Sequence, residues 1–151
     1  MHADSIHLLT SADVTMMRGM LALFAEAFDE RATYLARQPD DAYLARLLAS
    51  DTFLAIAALA DGKVIGGIAG YVLHKFEQAR SECYVYDLAV SEAHRRQGVA
   101  SAMLRTLQDL AAERGIYVIF IQADYVDEPA VALYTKFGQR EEVLHFDIPP
   151  G

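Results

Sequence analysis

The stretch Asp87-Leu-Ala-Val-Ser-Glu-Ala-His-Arg-Arg-Gln-Gly-Val-Ala100 decides how this chain is read. Its first four residues close an alternating run, residues 82–90, that reads as a strand. A short basic loop follows. From Gly98 to Arg114 the pattern turns helical, with Val99, Met103, Leu104, Leu107, Leu110 and Ala111 on one face and Gly115 as the stop. The first turn of a helix carries unpaired backbone N–H groups and the positive end of the helix dipole, so this junction suits an anion. Gly98 lets a phosphate approach the backbone closely, and Arg95 and Arg96 add fixed positive charge beside it. Two solvated arginines in an ordinary loop are the plainer alternative. The strand before them and the helix after them weigh against it. No Gly-Lys-Ser/Thr follows, which excludes a Walker loop, and the three glycines of the dinucleotide fingerprint are missing.

Outward from the junction, the apolar run at residues 116–123 reads as a buried strand, so residues 82–123 form a β-α-β unit with parallel strands. A short helix over residues 128–137, with Pro129 near its start and Gly138 after it, leads to a last strand at residues 141–148. On the N-terminal side, residues 6–9 suggest a first strand, and Thr10 or Ser11 can cap a helix in which Met17, Met20, Leu21, Phe24 and Phe28 recur at helical spacing. A second helix begins near Asp40, with Tyr43, Leu44, Leu47 and Leu48 as its buried stripe. Residues 53–59 and 64–73 pair as a hairpin across Asp61-Gly62. Gly66, Gly67 and Gly70 in its second arm suggest a bend or a close approach by another backbone. The expected fold class is α/β (α+β), a mixed central sheet with flanking helices in one domain spanning residues 1–151.

Composition narrows the function. The net charge of -8, from 13 basic and 21 acidic residues, argues against nucleic acid and an anionic membrane surface and favours a cationic partner. The longest apolar run, residues 53–60, falls far short of the ~18 residues needed to span a membrane, and residues 1–10 lack the pattern of a signal peptide. The single cysteine, Cys83, cannot form an internal disulfide; with no base beside it in sequence it reads as a small strand residue sharing a face with Val85, Asp87 and Ala89. His2, His7, His74, His94 and His145 show no metal spacing, so no metal is expected, and a cytoplasmic location fits.

Arg95-Arg-Gln-Gly98-Val-Ala100 resembles the Arg/Gln-x-x-Gly-x-Gly/Ala motif of the GNAT acyl-CoA N-acyltransferases, with Ala100 where a second glycine often stands. The resemblance implies the GNAT fold, with acetyl-CoA as donor and no metal. It implies that Arg95, Arg96, Gln97, Gly98, Val99, Ala100 and Ser101 hold the pyrophosphate, and that the strand from Tyr84 to Val90 pairs through its backbone with the pantetheine arm, with Leu88, Ala89 and Val90 as its cofactor-binding residues. Longer stretches look like the GNAT aminoglycoside (gentamicin) 3-N-acetyltransferases: Lys75-Phe-Glu-Gln-Ala-Arg-Ser-Glu82, Tyr86-Asp-Leu-Ala-Val90, Gln122-Ala-Asp-Tyr125, Pro129-Ala-Val-Ala-Leu-Tyr-Thr-Lys136 and Arg140-Glu-Glu-Val-Leu-His-Phe-Asp147. That similarity implies acetylation of the 3-amino group of 2-deoxystreptamine aminoglycosides, in a ternary complex, with a homodimer as the suggested assembly. Another amine (a polyamine, a small metabolite or a protein amine) is the alternative acceptor, and a non-catalytic acyl-CoA-binding module is the rival outside enzymology.

Amine acetylation needs a proton acceptor for the attacking nitrogen and donors for the acyl oxygen and the leaving thiolate. The resemblance assigns Tyr134 to the thioester sulfur. Asp87 and Asp124 end neighbouring parallel strands, so both should sit at the sheet's C-terminal edge, where either can orient or deprotonate an ammonium group. Among the acidic residues that suit a polycation, Asp124, Asp127 and Glu128 lie beside that edge; Glu82 and Tyr125 complete the expected acceptor set.

Overall fold

A computed structural model describes residues 5–151. His2 and the start of the segment read above for a leader lie outside the described residues. Strands β1 (Ser5–Leu8), β2 (Phe53–Ala60), β3 (Lys63–His74), β4 (Ser81–Val90) and β5 (Ile116–Ile121) form one sheet in the order β1-β2-β3-β4-β5. Neighbours are antiparallel except β4 and β5, which run parallel across a helical crossover, as the β-α-β reading requires. The β2–β3 turn places Asp61 at φ 51° and Gly62 at φ 75°, the paired left-handed conformations of a tight hairpin.

Two apolar layers cover the sheet. On one face lie α1 (Val14–Ala27), α2 (Arg31–Leu35) and α3 (Asp41–Ala49), whose Met17, Met20, Phe24, Leu44 and Leu48 bury against Phe53, Ala55, Ala57 and Ala69. On the other lie α4 (Val99–Glu113) and α5 (Glu128–Thr135), with Val99, Met103, Leu104, Leu107 and Ala111 packed on Ile56, Ile68, Cys83 and Val85. Burying a side chain such as Met20 or Leu107 fully is worth about 1.5–3 kcal/mol. Glycines in β3 let both layers close. A Cβ on Gly66 would stand 3.0 Å from Met103 of α4, and one on Gly67 would stand 3.1 Å from Met20 of α1. At Gly66 and Gly67 the close approach is made by side chains, whereas a Cβ on Gly70 would stand 3.1 Å from the Cys83 sulfur and 3.4 Å from the Tyr84 carbonyl oxygen, beside the register shift between Ala69 and Gly70.

Several expectations are corrected. The start of α1 is not capped by Thr10 or Ser11. Asp13 is its boundary residue, and its carboxylate accepts from the Thr10 N–H at 2.7 Å. Asp40 does cap α3, accepting from the Tyr43 N–H at 2.9 Å, but the Tyr43 ring is exposed because it falls outside the arc facing the sheet. The short α2 carries no periodic signal and was not expected. Residues 141–148 form no strand, so β5 is an edge strand with Tyr117 and Val118 exposed.

The correction that matters most for chemistry is in β4. Ala69 pairs with Asp87 and Gly70 with Val85, leaving Tyr86 as the extra residue of a bulge. An inserted residue breaks the period of two. Cys83 and Val85 face α4, whereas Asp87 and Ala89 are turned to the α1 side. The four do not share a face.

Candidate active site

β4 and β5 pair only as far as Val85 and Ile121, yet β4 continues to Val90. On the β5 side, residues 86–90 thus present a backbone edge with no strand beside it among the described residues, beginning at the bulge residue Tyr86. The chain leaves this notch through Ser91 and one 3₁₀ turn, Glu92–His94, held by a Ser91 Oγ–His94 Nδ1 hydrogen bond of 2.7 Å. Arg95 Nε donates to the Val90 carbonyl at 3.3 Å. Arg96 and Gly98 then adopt φ 62° and φ 80°.

Gly98 is the boundary residue of α4, and no side chain caps the helix. The first intrahelical bond runs from Ala102 N–H to the Gly98 carbonyl, so the N–H groups of Val99, Ala100 and Ser101 have no helical acceptor. Space above Gly98 is open: a Cβ there would meet nothing within 4 Å. The buried Gln97 Oε1 has no hydrogen-bond partner in the protein. An uncapped helix start preceded by two exposed arginines suits an anion, and the chain runs into it from the end of β4.

Asp87 lies on the α1 face of the notch. The Tyr34 hydroxyl donates to its carboxylate at 2.9 Å. Burial raises the Asp87 carboxyl above the usual aspartate range, and the Tyr34 bond opposes that rise. Tyr34 itself is pushed up by burial and by the bond to Asp87. Around this pair runs an aromatic band. Tyr71 meets Tyr86 edge-on at 5.9 Å, Tyr86 meets Tyr84 at 5.4 Å, and Tyr84 stacks on Phe120 at 4.6 Å. Tyr71 and Tyr86 are exposed, so the band is a surface. Sequence reasoning missed Tyr34 and this band. Tyr34 sits 53 residues from Asp87 on a helix without periodicity, and no local signal marks it.

Tyr134 approaches from the other face. Like Leu133 and Phe137 of the α5 region, it is partly buried against the α4-side core. Burial, with a smaller contribution from Asp127, pushes its phenol up to about 12. Among the described residues its hydroxyl makes no hydrogen bond to the protein. Asp87 and Tyr134 therefore belong to opposite faces of the sheet.

The other expected residues are distributed unevenly. Asp124 is exposed beyond the end of β5, on the same side of the sheet's paired region as Asp87. Asp127 caps α5, accepting from the Ala130 N–H at 3.3 Å, and the exposed Glu128 is in that helix's first turn. The Tyr125 hydroxyl donates to Glu142. Glu82 is not brought to the notch. It stands at the start of β4, roughly 15 Å from Asp87 by strand rise, where it accepts from the Tyr117 hydroxyl and lies 4.0 Å from Lys75. Cys83 is fully buried, and burial pushes its thiol up to about 11.

Residues 18–139 match the acetyltransferase (GNAT) family, and the chain belongs to it. An aminoglycoside acetyltransferase from an uncultured soil metagenomic sample superposes with a TM-score of 0.94 at 55% identity, over 97% of this chain and 98% of that one. A second soil-metagenome aminoglycoside acetyltransferase, solved in complex with sisomicin, superposes with a TM-score of 0.88 at 28% identity, over 97% and 96% of the two chains. Among curated proteins, N-acetyltransferase 8F1 of Mus musculus is 27% identical over 124 residues, 74% of this chain and 56% of that protein. The chain spans about half the length of such curated relatives. The family's donor, acetyl-CoA, fits the site. The free N–H groups of α4 suit a pyrophosphate, and the open edge of residues 86–90 suits an amide-bearing arm. Among the described residues no helix is long and apolar enough to cross a membrane.

Proposed function

We propose that this protein transfers an acetyl group from acetyl-CoA to the 3-amino group of 2-deoxystreptamine aminoglycosides such as gentamicin, and thereby confers resistance to them. The carrying observation is the notch: an unpaired strand edge that runs into an uncapped helix start, with Asp87 on one face and Tyr134 on the other. The acceptor class is supported by the 55% identity to an aminoglycoside acetyltransferase. It is also supported by chemistry, because carboxylates suit ammonium groups and an exposed aromatic band suits the faces of sugar rings and bound cations.

In this reading residues 95–101 hold the pyrophosphate and the edge of β4 aligns the arm of the donor, which supplies an activated acetyl thioester. Asp87 takes the proton from the acceptor ammonium, and its raised carboxyl is a better base than an exposed aspartate. Asp124, Asp127 and Glu128 hold the remaining positive charges of the acceptor from the β5–α5 side. Backbone N–H groups among residues 88–90 face the acyl oxygen. Tyr134 keeps its proton at neutral pH, since its phenol sits near 12. Full transfer to a thiolate, whose acid has a pKa of about 8.5, is uphill, so Tyr134 acts by donating a hydrogen bond to the leaving sulfur. Cys83 takes no part, being buried and protonated. The acetyl group therefore passes directly between donor and acceptor.

The test is thiol release from acetyl-CoA with gentamicin, sisomicin, kanamycin, spermidine and a peptide N-terminus. The expected outcome is fast turnover of gentamicin and sisomicin, with NMR placing the acetyl group on N3. Turnover of spermidine or peptide alone overturns the acceptor assignment and leaves the donor site standing.

A further inference from the structure

We infer that Arg18 is a positioning residue for Asp87: acting through Gln38, it holds α2 so that the Tyr34 hydroxyl stays aimed at that carboxylate. This role deepens the reading of Asp87 as the base, and only its kinetic readout rests on that reading. Two features carry the inference, a helix that cannot place itself and a chain of hydrogen bonds that places it.

The helix is α2. Its five residues make little more than one turn, too few to hold a helix in water. It buries none of its side chains, and no side chain caps its start. Its position therefore comes from outside, at two points. At the first, the Tyr34 ring packs on Phe24 and Phe28 at the end of α1, with centroids 5.9 and 6.0 Å apart. Ring contacts of this kind hold the apolar body of a tyrosine and do not by themselves aim its hydroxyl.

The second point is Arg18 of α1. Its guanidinium donates to Gln38 Oε1 at 2.6 Å, to the Pro39 carbonyl at 3.0 Å and to Asp41 at 2.6 Å. Gln38 Nε2 in turn donates to the Tyr34 carbonyl at 3.0 Å. An arginine only donates and a carbonyl only accepts, so Gln38 satisfies both in this orientation alone. Asp41 is exposed, so its ion pair contributes little stability. What the planar fork supplies is a fixed place for the end of α2. The chain of bonds then ends on Asp87, which accepts from the Tyr34 hydroxyl at 2.9 Å.

Besides Tyr34, the ionisable groups that feel the charge of Asp87 are Tyr71 of β3 and Tyr84 of its own strand, while Glu30 bears on Tyr34. The bonds of Arg18 go to the α2–α3 connection and to none of these groups. Without Arg18 the aromatic contacts still keep the ring, and with it the burial of Asp87, but the hydroxyl loses its aim. Burial then acts on the carboxyl unopposed, as it does when the hydroxyl is deleted.

Carboxyl 13C NMR can follow the titration of Asp87 in the protein alone, in wild type, Arg18→Met, Gln38→Met, Tyr34→Phe and the double variant Arg18→Met, Tyr34→Phe. Each single variant should move the titration to higher pH, by about threefold to tenfold in proton affinity, the scale of one hydrogen bond to a charged group. The double variant should move no further than Tyr34→Phe. Gln38→Met changes no charge, so a shift there cannot come from loss of the arginine's field. An unmoved carboxyl in Gln38→Met, or shifts that add in the double variant, overturns the inference. The acid limb of kcat/KM for gentamicin should move with the carboxyl. A fall in kcat/KM at every pH, with carboxyl and limb both in place, assigns Arg18 a structural role only and also overturns it. A carboxyl that moves while the limb stays still supports the positioning role and removes Asp87 as the base, so the two readings fail separately.

Discussion

The proposed mechanism gives two tyrosines different work, and phenylalanine at each position separates them. Tyr34 donates to Asp87, which favours the charged carboxylate. Removing its hydroxyl leaves desolvation unopposed, so the Asp87 carboxyl rises further. A base must be unprotonated, so the acid limb of kcat/KM marks that carboxyl. In Tyr34→Phe the limb should move to higher pH, with the plateau above it close to wild type. An unmoved limb in a pH–rate profile would remove Asp87 from the base role. Tyr134→Phe should behave otherwise. Loss of one donor to a developing charge costs about 100-fold in kcat, so kcat falls across the whole pH range with KM for acetyl-CoA unchanged. Unchanged kcat with gentamicin would remove Tyr134 from the leaving-group role.

At the scale of elements, α4 offers an internal control. Gly98 at its start and Gly115 just past its end both have positive φ, 80° and 70°, and a Cβ at either meets nothing within 4 Å. Alanine in the left-handed region costs about 1–2 kcal/mol at each site, equivalent to roughly 2–8 °C in Tm for a chain of this size. Only at Gly98 does the added methyl also stand where a phosphate would approach. Gly98→Ala and Gly115→Ala should therefore lose similar Tm, while KM for acetyl-CoA rises at least tenfold in the first alone. Equal KM values would move the anion site away from α4. Most of this element was legible beforehand, because a buried stripe, a glycine at each boundary and paired arginines are all local signals. The bulge at Tyr86 was not. Strict alternation put Asp87 on the face of Cys83, and only the register of β3 against β4 turns it toward Tyr34. The strand expected at residues 141–148 had the right pattern but no sheet within its own chain, since period states what a segment can do and pairing depends on what lies beside it.

At the scale of the molecule, charge links fold to acceptor. The chain carries -8, and Asp124, Asp127 and Glu128 are exposed between the end of β5 and the first turn of α5, so in the proposed reading the field there should draw a polycation. Composition alone made that much legible. It left open whether the field acts on the reaction or only keeps the protein apart from its neighbours. Ionic strength distinguishes the two. The Debye length falls from about 30 Å at 0.01 M salt to about 3 Å at 1 M, which removes long-range attraction but leaves contacts inside the site less affected. If the acceptor is a polycation, kcat/KM for gentamicin should fall about tenfold or more over that range. A singly charged amine acceptor should lose much less, because steering grows with the charge it acts on. Acetyl-CoA supplies the opposite sign. Screening relieves its repulsion from an acidic chain while weakening its hold on Arg95 and Arg96, so its KM should change little. Initial rates over a salt series, with each substrate varied in turn, measure all three slopes. Equal losses for gentamicin and the monoamine would mean that salt acts on the site itself, and that the acidic surface takes no part in capturing the acceptor.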